Sequence, residues 1–181
     1  MRIYVFLAEG FEEIEAIAPI DIFRRASIDT ITVSISDKKE VTGAHGITVL
    51  ADTRFIETDF DENALLFLPG GIPGATNLDN HIDLKALVKK QAANNQKLAA
   101  ICAAPLVFGK LGLLEGKEAI CYPGFEAHLE GASLLNASCV KAGTIYTAKA
   151  AGAALDFALM LVADLKGEEL AKSIREAMFI A

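Results

Sequence analysis

The sequence predicts an α/β fold in which a mostly parallel sheet is covered by helices on both faces. Two observations point to this class. Short apolar runs typical of buried strands alternate with helical patterns from one end of the chain to the other. The 181 residues are 52% hydrophobic, and they contain no repeat, low-complexity tract or long linker. We therefore expect a single domain over residues 1–181 with one sizeable core.

In the first half of the chain, apolar spacing and turn residues mark each element. Apolar residues recur at helical spacing from Phe11 to Ile22, which predicts an amphipathic helix over about Glu12–Arg25. A second helix is predicted over about Leu84–Asn94. The predicted strands are extended apolar runs: Arg2–Leu7, Thr30–Ser36, the weaker Ile47–Ala51, and Ala64–Leu68, which runs into Pro69-Gly70-Gly71.

The second half repeats the alternation. A short apolar strand breaks directly into a helix whose first turn accommodates Pro105. The closing segment carries two helical patterns, and we expect no further strand there. The predicted elements are the strands Leu98–Ile101, Glu118–Tyr122 and Thr144–Thr147 and the helices Pro105–Leu114, Gly152–Lys166 and Glu168–Met178.

Charge and cysteine content exclude several classes of protein. The net charge of −7 and the absence of a Lys/Arg cluster beyond a dipeptide argue against nucleic-acid and anionic-membrane binding. Asp156 and Asp164 interrupt the apolar stretch from 150 to 165, which is too short to span a membrane. The N-terminal apolar run meets glutamates instead of a cleavage site. Three cysteines without metal-ligand spacing predict free thiols in a reducing cytoplasm, with no metal.

Three chemically suggestive segments fall where ligands of such sheets bind. In parallel α/β sheets, ligands lie beyond the carboxyl ends of the strands. Glu9–Glu15 follows the first predicted strand, Pro69-Gly70-Gly71 follows the strand ending at Leu68, and Cys102 follows the strand ending at Ile101. The topology therefore predicts that these segments converge on one candidate site.

Cys102 is the main candidate for chemistry because it stands at a predicted strand-to-helix junction. Unpaired backbone N–H groups and the positive end of a helix dipole favour the thiolate, which is the nucleophilic form. The structural alternative is an inert packed thiol, since free cysteine is among the most buried residue types.

A carboxyl and a glycine pair accompany the thiol. Glu15 lies inside the apolar stripe that includes Ile14, and a carboxyl in an apolar place is pushed toward its neutral form. It could then donate a hydrogen bond to a thiolate or shuttle a proton; alternatively it lies at the edge of the stripe and reaches water. The N–H groups of Gly70 and Gly71 could face an oxyanion together with that of Ala103, or form an ordinary turn.

Few histidines are available for a Cys-His pair. His81 is expected in a solvated loop, and His128 is a weak candidate for a base. His45 lies in a turn from which it could line a site in its own chain or in a partner's. Tyr122 ends a predicted strand, so its hydroxyl could reach the same crevice, with rim packing as the alternative.

Four segments, taken in order, resemble the ThiJ/PfpI superfamily. They are AEGFEEIE at 8–15, LPGG at 68–71, AAICAAP at 99–105 and the helix start at 152–159. The resemblance covers essentially the whole chain, and it is greatest to the branch of the parkinsonism-associated protein deglycase. It implies a flavodoxin-like three-layer α/β sandwich and a homodimer.

The resemblance also implies site roles. Cys102 corresponds to the reactive cysteine of a strained elbow, Glu15 to the carboxyl that hydrogen-bonds it, and Gly71 and Ala103 to backbone oxyanion donors. Further pocket residues are Gly70, Tyr122, His45 and Lys149.

The chain departs from the family pattern at four of its positions. Ala103 stands where the protease-like branch has a histidine, so a peptidase triad is not implied. Many closer relatives have a histidine in place of Tyr122, and the best-known relative has arginines in place of His45 and Lys149.

The leading hypothesis is a cofactor-free, cysteine-dependent enzyme of glyoxalase or deglycase type. The resemblance implies methylglyoxal-like dicarbonyls, or their early adducts with amines and thiols, as substrates. The alternative is an oxidative-stress sensor or chaperone-like protein in which Cys102 is oxidised and held by Glu15. The same accessible thiol serves both hypotheses.

Overall fold

A computed structural model describes residues 1–181 and confirms the α/β class with a mostly parallel sheet. The strands are β1 (Ile3–Leu7), β2 (Thr30–Ser34), β3 (Glu40–Thr42), β4 (Thr48–Leu50), β5 (Thr53–Arg54), β6 (Leu65–Leu68), β7 (Leu98–Ile101), β8 (Glu118–Ala119), β9 (Ser133–Leu134), β10 (Cys139–Ala142) and β11 (Ile145–Ala148). The helices are α1 (Glu13–Arg25), α2 (Gly74–Asn80), α3 (Ile82–Ala93), α4 (Pro105–Lys110), α5 (Ala154–Lys166) and α6 (Glu168–Ala177). None of these helices has both the length and the apolar character needed to cross a bilayer.

Seven strands form the central sheet in the order β10-β11-β7-β6-β1-β2-β5. Only β10 runs antiparallel to its neighbour. The two faces of the sheet bury separate apolar clusters because side chains alternate along each strand. In β1, Ile3 and Val5 face the cluster shared with α1, α5 and α6, whereas Tyr4 and Phe6 face the cluster shared with α2, α3 and α4. The fold is therefore a three-layer sandwich.

The sheet order brings the three suggestive loops together, as the sequence predicts. β6 lies between β1 and β7, and all three run parallel. Their carboxyl ends therefore meet at one edge of the sheet. The loop after Leu7, the turn after Leu68 and the elbow after Ile101 are neighbours there, at the middle of the sheet.

The predicted strand Ile47–Ala51 is confirmed over Thr48–Leu50. This strand lies outside the main sheet and pairs with Glu40–Thr42 in an antiparallel hairpin. The edge of the sheet is taken by the two-residue strand Thr53–Arg54, which pairs with β2. These pairings are long-range, and three-residue strands carry too little periodicity to predict.

Two further predictions fail. His81 caps helix α3 instead of lying in a solvated loop. Nδ1 of His81 accepts the N–H of Leu84 at 3.0 Å. The predicted strand Glu118–Tyr122 is only Glu118–Ala119, because the N–H of Ile120 donates to the Thr147 hydroxyl and leaves the ladder.

The helix predicted over Pro105–Leu114 ends at Lys110. The chain turns there because Gly112 has a φ of +72°, and the N–H of Leu113 donates to the carbonyl of Phe108 at 3.0 Å. Such a glycine-based turn is a usual way to end a helix.

Candidate active site

Cys102 occupies a strained elbow at the carboxyl end of β7. Its φ is +65°, a left-handed conformation that costs a residue with a Cβ about 1–2 kcal/mol. Strand β11 and the loop after β8 hold it in place. The Cys102 N–H donates to the carbonyl of Ala148 at 2.9 Å, and its carbonyl accepts the N–H of Tyr122 at 2.8 Å. The elbow turns the partly exposed thiol out of the strand direction.

The carboxyl of Glu15 lies against this thiol. Glu15 is on the first turn of α1 and is only 1% exposed. Its Oε2 accepts the N–H of Gly70 at 3.1 Å. A Cβ on Gly70 would lie 2.5 Å from that oxygen and 2.6 Å from the Cβ of Cys102, so the glycine makes room for both side chains. The structure thus brings together three predicted site residues.

The carboxyl and the thiol titrate as a coupled pair. Burial raises the pKa of Glu15 to about 7, although hydrogen bonding with Cys102 opposes the rise. Burial, together with the charge of the Glu15 carboxylate, raises the pKa of Cys102 to about 12. In this pair, burial and the Glu15 carboxylate oppose the backbone N–H groups that favour the thiolate. A thiolate is favoured when Glu15 holds the proton, because the opposing charge is then gone.

Two backbone N–H groups face the sulfur. Those of Gly71 and Ala103 hydrogen-bond Cys102 and favour its charged form. Gly71 has a φ of +90°, and a Cβ there would lie 2.3 Å from the N of Glu12. Both the conformation and the space therefore require glycine, which supports close approach of this N–H to a charged atom.

The start of α1 differs from the predicted stripe. Ile14 is 55% exposed, whereas Glu13 is 6% exposed. Glu13 is buried because its Oε1 accepts the N–H of His45 at 2.8 Å and that of Ile47 at 3.4 Å. The carboxylate thereby ties the β3–β4 turn to α1. No signal in the sequence identifies this pairing, since its partners lie more than 30 residues apart.

His45 faces Glu13 instead of Cys102. Its Nδ1 lies 2.7 Å from Oε2 of Glu13, and this hydrogen bond raises the pKa of His45. Burial pushes the pKa of Glu13 up, but the hydrogen bonds from His45 outweigh it and hold this pKa below its usual value. Oxygens of Glu12 and Glu13 and a His45 nitrogen lie within 4.8 Å of one another. These groups already bond to each other or to the backbone, so the cluster does not indicate a metal site.

The remaining candidates lie at the rim. Tyr122 is 46% exposed and is joined to Cys102 through its backbone N–H. Lys149 follows the strand residue that accepts the Cys102 N–H, and it lines a cleft of about 330 Å³ with Cys121 and Glu126. His128 is exposed in a 3-10 turn and makes no hydrogen bond to the thiol. The structure therefore offers no histidine base from this chain.

A cysteine held left-handed between a parallel strand and a helix, with backbone N–H groups facing its sulfur, defines a protein of the nucleophile-elbow class on an α/β sheet. The buried carboxyl of Glu15 beside the sulfur is a further feature that limits which proteins of this class the chain can resemble. A family comparison agrees: the chain belongs to the DJ-1/PfpI family, whose model matches residues 1–164.

Named relatives and solved structures are similar over most of the chain. Protein DJ-1 homolog B of Arabidopsis thaliana is 38% identical over 175 residues, which are 96% of this chain and 40% of the relative. The chain thus spans about two fifths of that relative's length. Deglycase TK1284 of Thermococcus kodakarensis is 33% identical over 65% of this chain and 70% of its own. The structure of oxidized Toxoplasma gondii DJ-1 has a TM-score of 0.93 at 32% identity, covering 99% of this chain and 98% of its own.

Proposed function

We propose that the protein is a cysteine-dependent, cofactor-free enzyme that converts methylglyoxal-like dicarbonyls, or their early adducts, into hydroxy acids. The observation that carries the proposal is the contact between the Cys102 thiol and the buried carboxyl of Glu15 at the strained elbow. The similarity to a protein named a deglycase supports the same class of reaction.

The first step uses the proton that the pair shares. With Glu15 protonated, the Cys102 thiolate adds to the aldehyde carbon of methylglyoxal and forms a carbon–sulfur bond. The N–H groups of Gly71 and Ala103 stabilise the oxyanion that develops on the former aldehyde oxygen. Glu15 then gives its proton to that oxygen, which completes a hemithioacetal and leaves Glu15 as a carboxylate.

The second step moves one proton between neighbouring carbons. The Glu15 carboxylate takes the hydrogen of the former aldehyde carbon as a proton and returns it to the former ketone carbon, while the hydroxyl proton passes to the former ketone oxygen, so the hemithioacetal rearranges through an enediol to a thioester. Water then cleaves the carbon–sulfur bond, releasing lactate and the thiol. Methylglyoxal and one water supply all the atoms of the product, and no external oxidant or reductant is needed.

The test is lactate formation from methylglyoxal by reduced, purified protein, in wild type and Cys102→Ala, with and without a metal chelator. Turnover that survives chelation and disappears in the variant supports the proposal. Cys139→Ala is a matched control, because Cys139 is a second partly exposed thiol, located at the start of β10. Equal turnover in wild type and Cys102→Ala would refute the mechanism.

An oxidation sensor is the second candidate, because the site of a thiol nucleophile also suits reaction with peroxide. The solved relative described as oxidized lends it support. A sulfinate on Cys102 after mild peroxide, in a protein that turns over no aldehyde, would favour the sensor. The three cysteines are free thiols, consistent with the reducing cytoplasm that we propose as its location.

A homodimer is also part of the proposal. Ile14, Ile17, Ile47 and Leu50 are each more than 40% exposed, on neighbouring surfaces of α1 and the β3–β4 hairpin. An exposed apolar patch of this kind marks an interaction surface. A second copy of the chain would bury it.

A further inference from the structure

A ring of three hydrogen bonds joins the start of α1 to the turn after β6. The N–H of Glu12 donates to the carbonyl of Gly70 at 3.0 Å, and the N–H of Gly70 donates to Oε2 of Glu15 at 3.1 Å. The N–H of Glu15 donates to Oε2 of Glu12 at 2.7 Å, which closes the ring. Each residue is both donor and acceptor, so the Glu15 carboxyl cannot leave its position without breaking this ring.

Glu12 also places a carboxylate beside Glu15. The other groups that face the Glu15 carboxyl are the Cys102 thiol on the elbow and the backbone N–H groups of Gly70 and Ala151, which belong to the turn after β6 and the 3-10 turn before α5. Glu12 is partly exposed, and the negative charge of its carboxylate raises the pKa of Glu15, whereas the thiol is neutral when protonated. Among these groups Glu12 is thus the one that opposes a negative charge on Glu15 at neutral pH.

We infer that Glu12 is a positioning residue for the site: its backbone and carboxylate hold the Glu15 carboxyl against Cys102, and its charge adds to the effect of burial in keeping a proton on that carboxyl. The inference rests on the proposed function for its catalytic meaning. Addition of Cys102 to an aldehyde requires the thiolate, which is favoured while Glu15 is protonated. A negative Glu12 shifts the shared proton toward Glu15 and so toward the reactive arrangement of the pair.

The test is a direct titration of Glu15, which does not depend on turnover. Protein is produced with ¹³C-labelled glutamate carboxyls and titrated by NMR, and the resonance that is lost in Glu15→Gln is assigned to Glu15. In wild type we expect a pKa of about 7. Glu12→Gln removes the charge but keeps an oxygen that can accept the Glu15 N–H, and we expect the pKa of Glu15 to fall by about 0.5–1.

Two control variants separate charge from structure. Glu9→Gln removes one charge from the same loop, where Glu9 accepts the N–H of Thr42 at 3.2 Å and does not face Glu15. Glu12→Asp keeps the charge and a cap oxygen. Both controls should leave the pKa of Glu15 within about 0.3 of wild type. If Glu12→Gln does not fold, the wild-type titration in high salt replaces it, because screening of Glu12 should lower the same pKa.

The outcomes distinguish the two proposals. A Glu15 pKa that is unchanged in Glu12→Gln, or that falls equally in Glu9→Gln, overturns the role of Glu12. A selective fall upholds it. Absence of aldehyde turnover beside a selective fall refutes the proposed function alone. Where turnover exists, the acidic limb of its pH profile should move with the pKa of Glu15 in Glu12→Gln.

Discussion

Glu15→Gln should stabilise the protein at alkaline pH while removing its activity. Burial raises the pKa of Glu15 to about 7, from 4.5 in an unfolded chain. The folded protein therefore binds this proton more tightly than the unfolded chain, and stability falls as the pH rises from 4.5 through 7. At about 1.4 kcal/mol for each pKa unit, a difference of about 2.5 units corresponds to about 3 kcal/mol. Glutamine stays neutral and can still accept the N–H of Gly70.

The assay is urea unfolding of reduced protein, followed by circular dichroism between pH 4 and 8. We expect wild type and Glu15→Gln to have similar free energies of unfolding at pH 4. At pH 8 the variant should be more stable, by up to about 3 kcal/mol. In wild type the pKa of Cys102, about 12, lies outside this window. Parallel pH curves for the two proteins would refute the argument that Glu15 is buried and proton-bearing.

Three further changes test other parts of the structure. Gly70→Ala places a Cβ 2.5 Å from the Glu15 carboxyl, so it should lower the free energy of unfolding by about 1–3 kcal/mol and remove most of the turnover. The control Gly152→Ala, whose Cβ would have nothing within 4 Å, should change neither stability nor turnover. Glu13→Gln replaces a buried carboxylate that accepts hydrogen bonds from the β3–β4 turn, so the free energy of unfolding should fall by about 1–3 kcal/mol at pH 7. The loss should be smaller at acidic pH, where wild-type Glu13 also becomes neutral, and equal losses at both pH values would contradict this. Ile17→Asp should convert a dimer to monomer in light scattering after gel filtration, and an unchanged mass would exclude this face as the interface.

The sequence was sufficient for the central sheet because its strands are continuous apolar runs. β1, β6 and β7 are recognisable in this way, and their parallel order follows from the helices between them. The convergence of Cys102, Glu15 and Gly70 at one edge is a consequence of that order. These residues are therefore predictable from topology, and the resemblance to a family assigned their roles.

Other features depend on contacts that leave no local pattern. Glu13 and His45 pair across 32 residues, and the burial of Glu13 exists only because the hairpin turn supplies its hydrogen-bond donors. The high pKa of Cys102 arises from burial and from the charge of Glu15. Both effects oppose the backbone N–H groups of Gly71 and Ala103, which lower this pKa. A sequence motif indicates the elbow but does not fix the balance of these effects.

The most direct test of the central claim is to observe the bond between Cys102 and an aldehyde carbon. Glu15→Gln lacks the group that moves the proton after addition, so the hemithioacetal should accumulate. With methylglyoxal labelled by ¹³C at the aldehyde carbon, we expect a protein-bound resonance of a carbon bonded to sulfur and oxygen in Glu15→Gln. The resonance should be absent in the double variant that combines Glu15→Gln with Cys102→Ala. An equal resonance in the double variant, or none in Glu15→Gln, would contradict nucleophilic addition by Cys102.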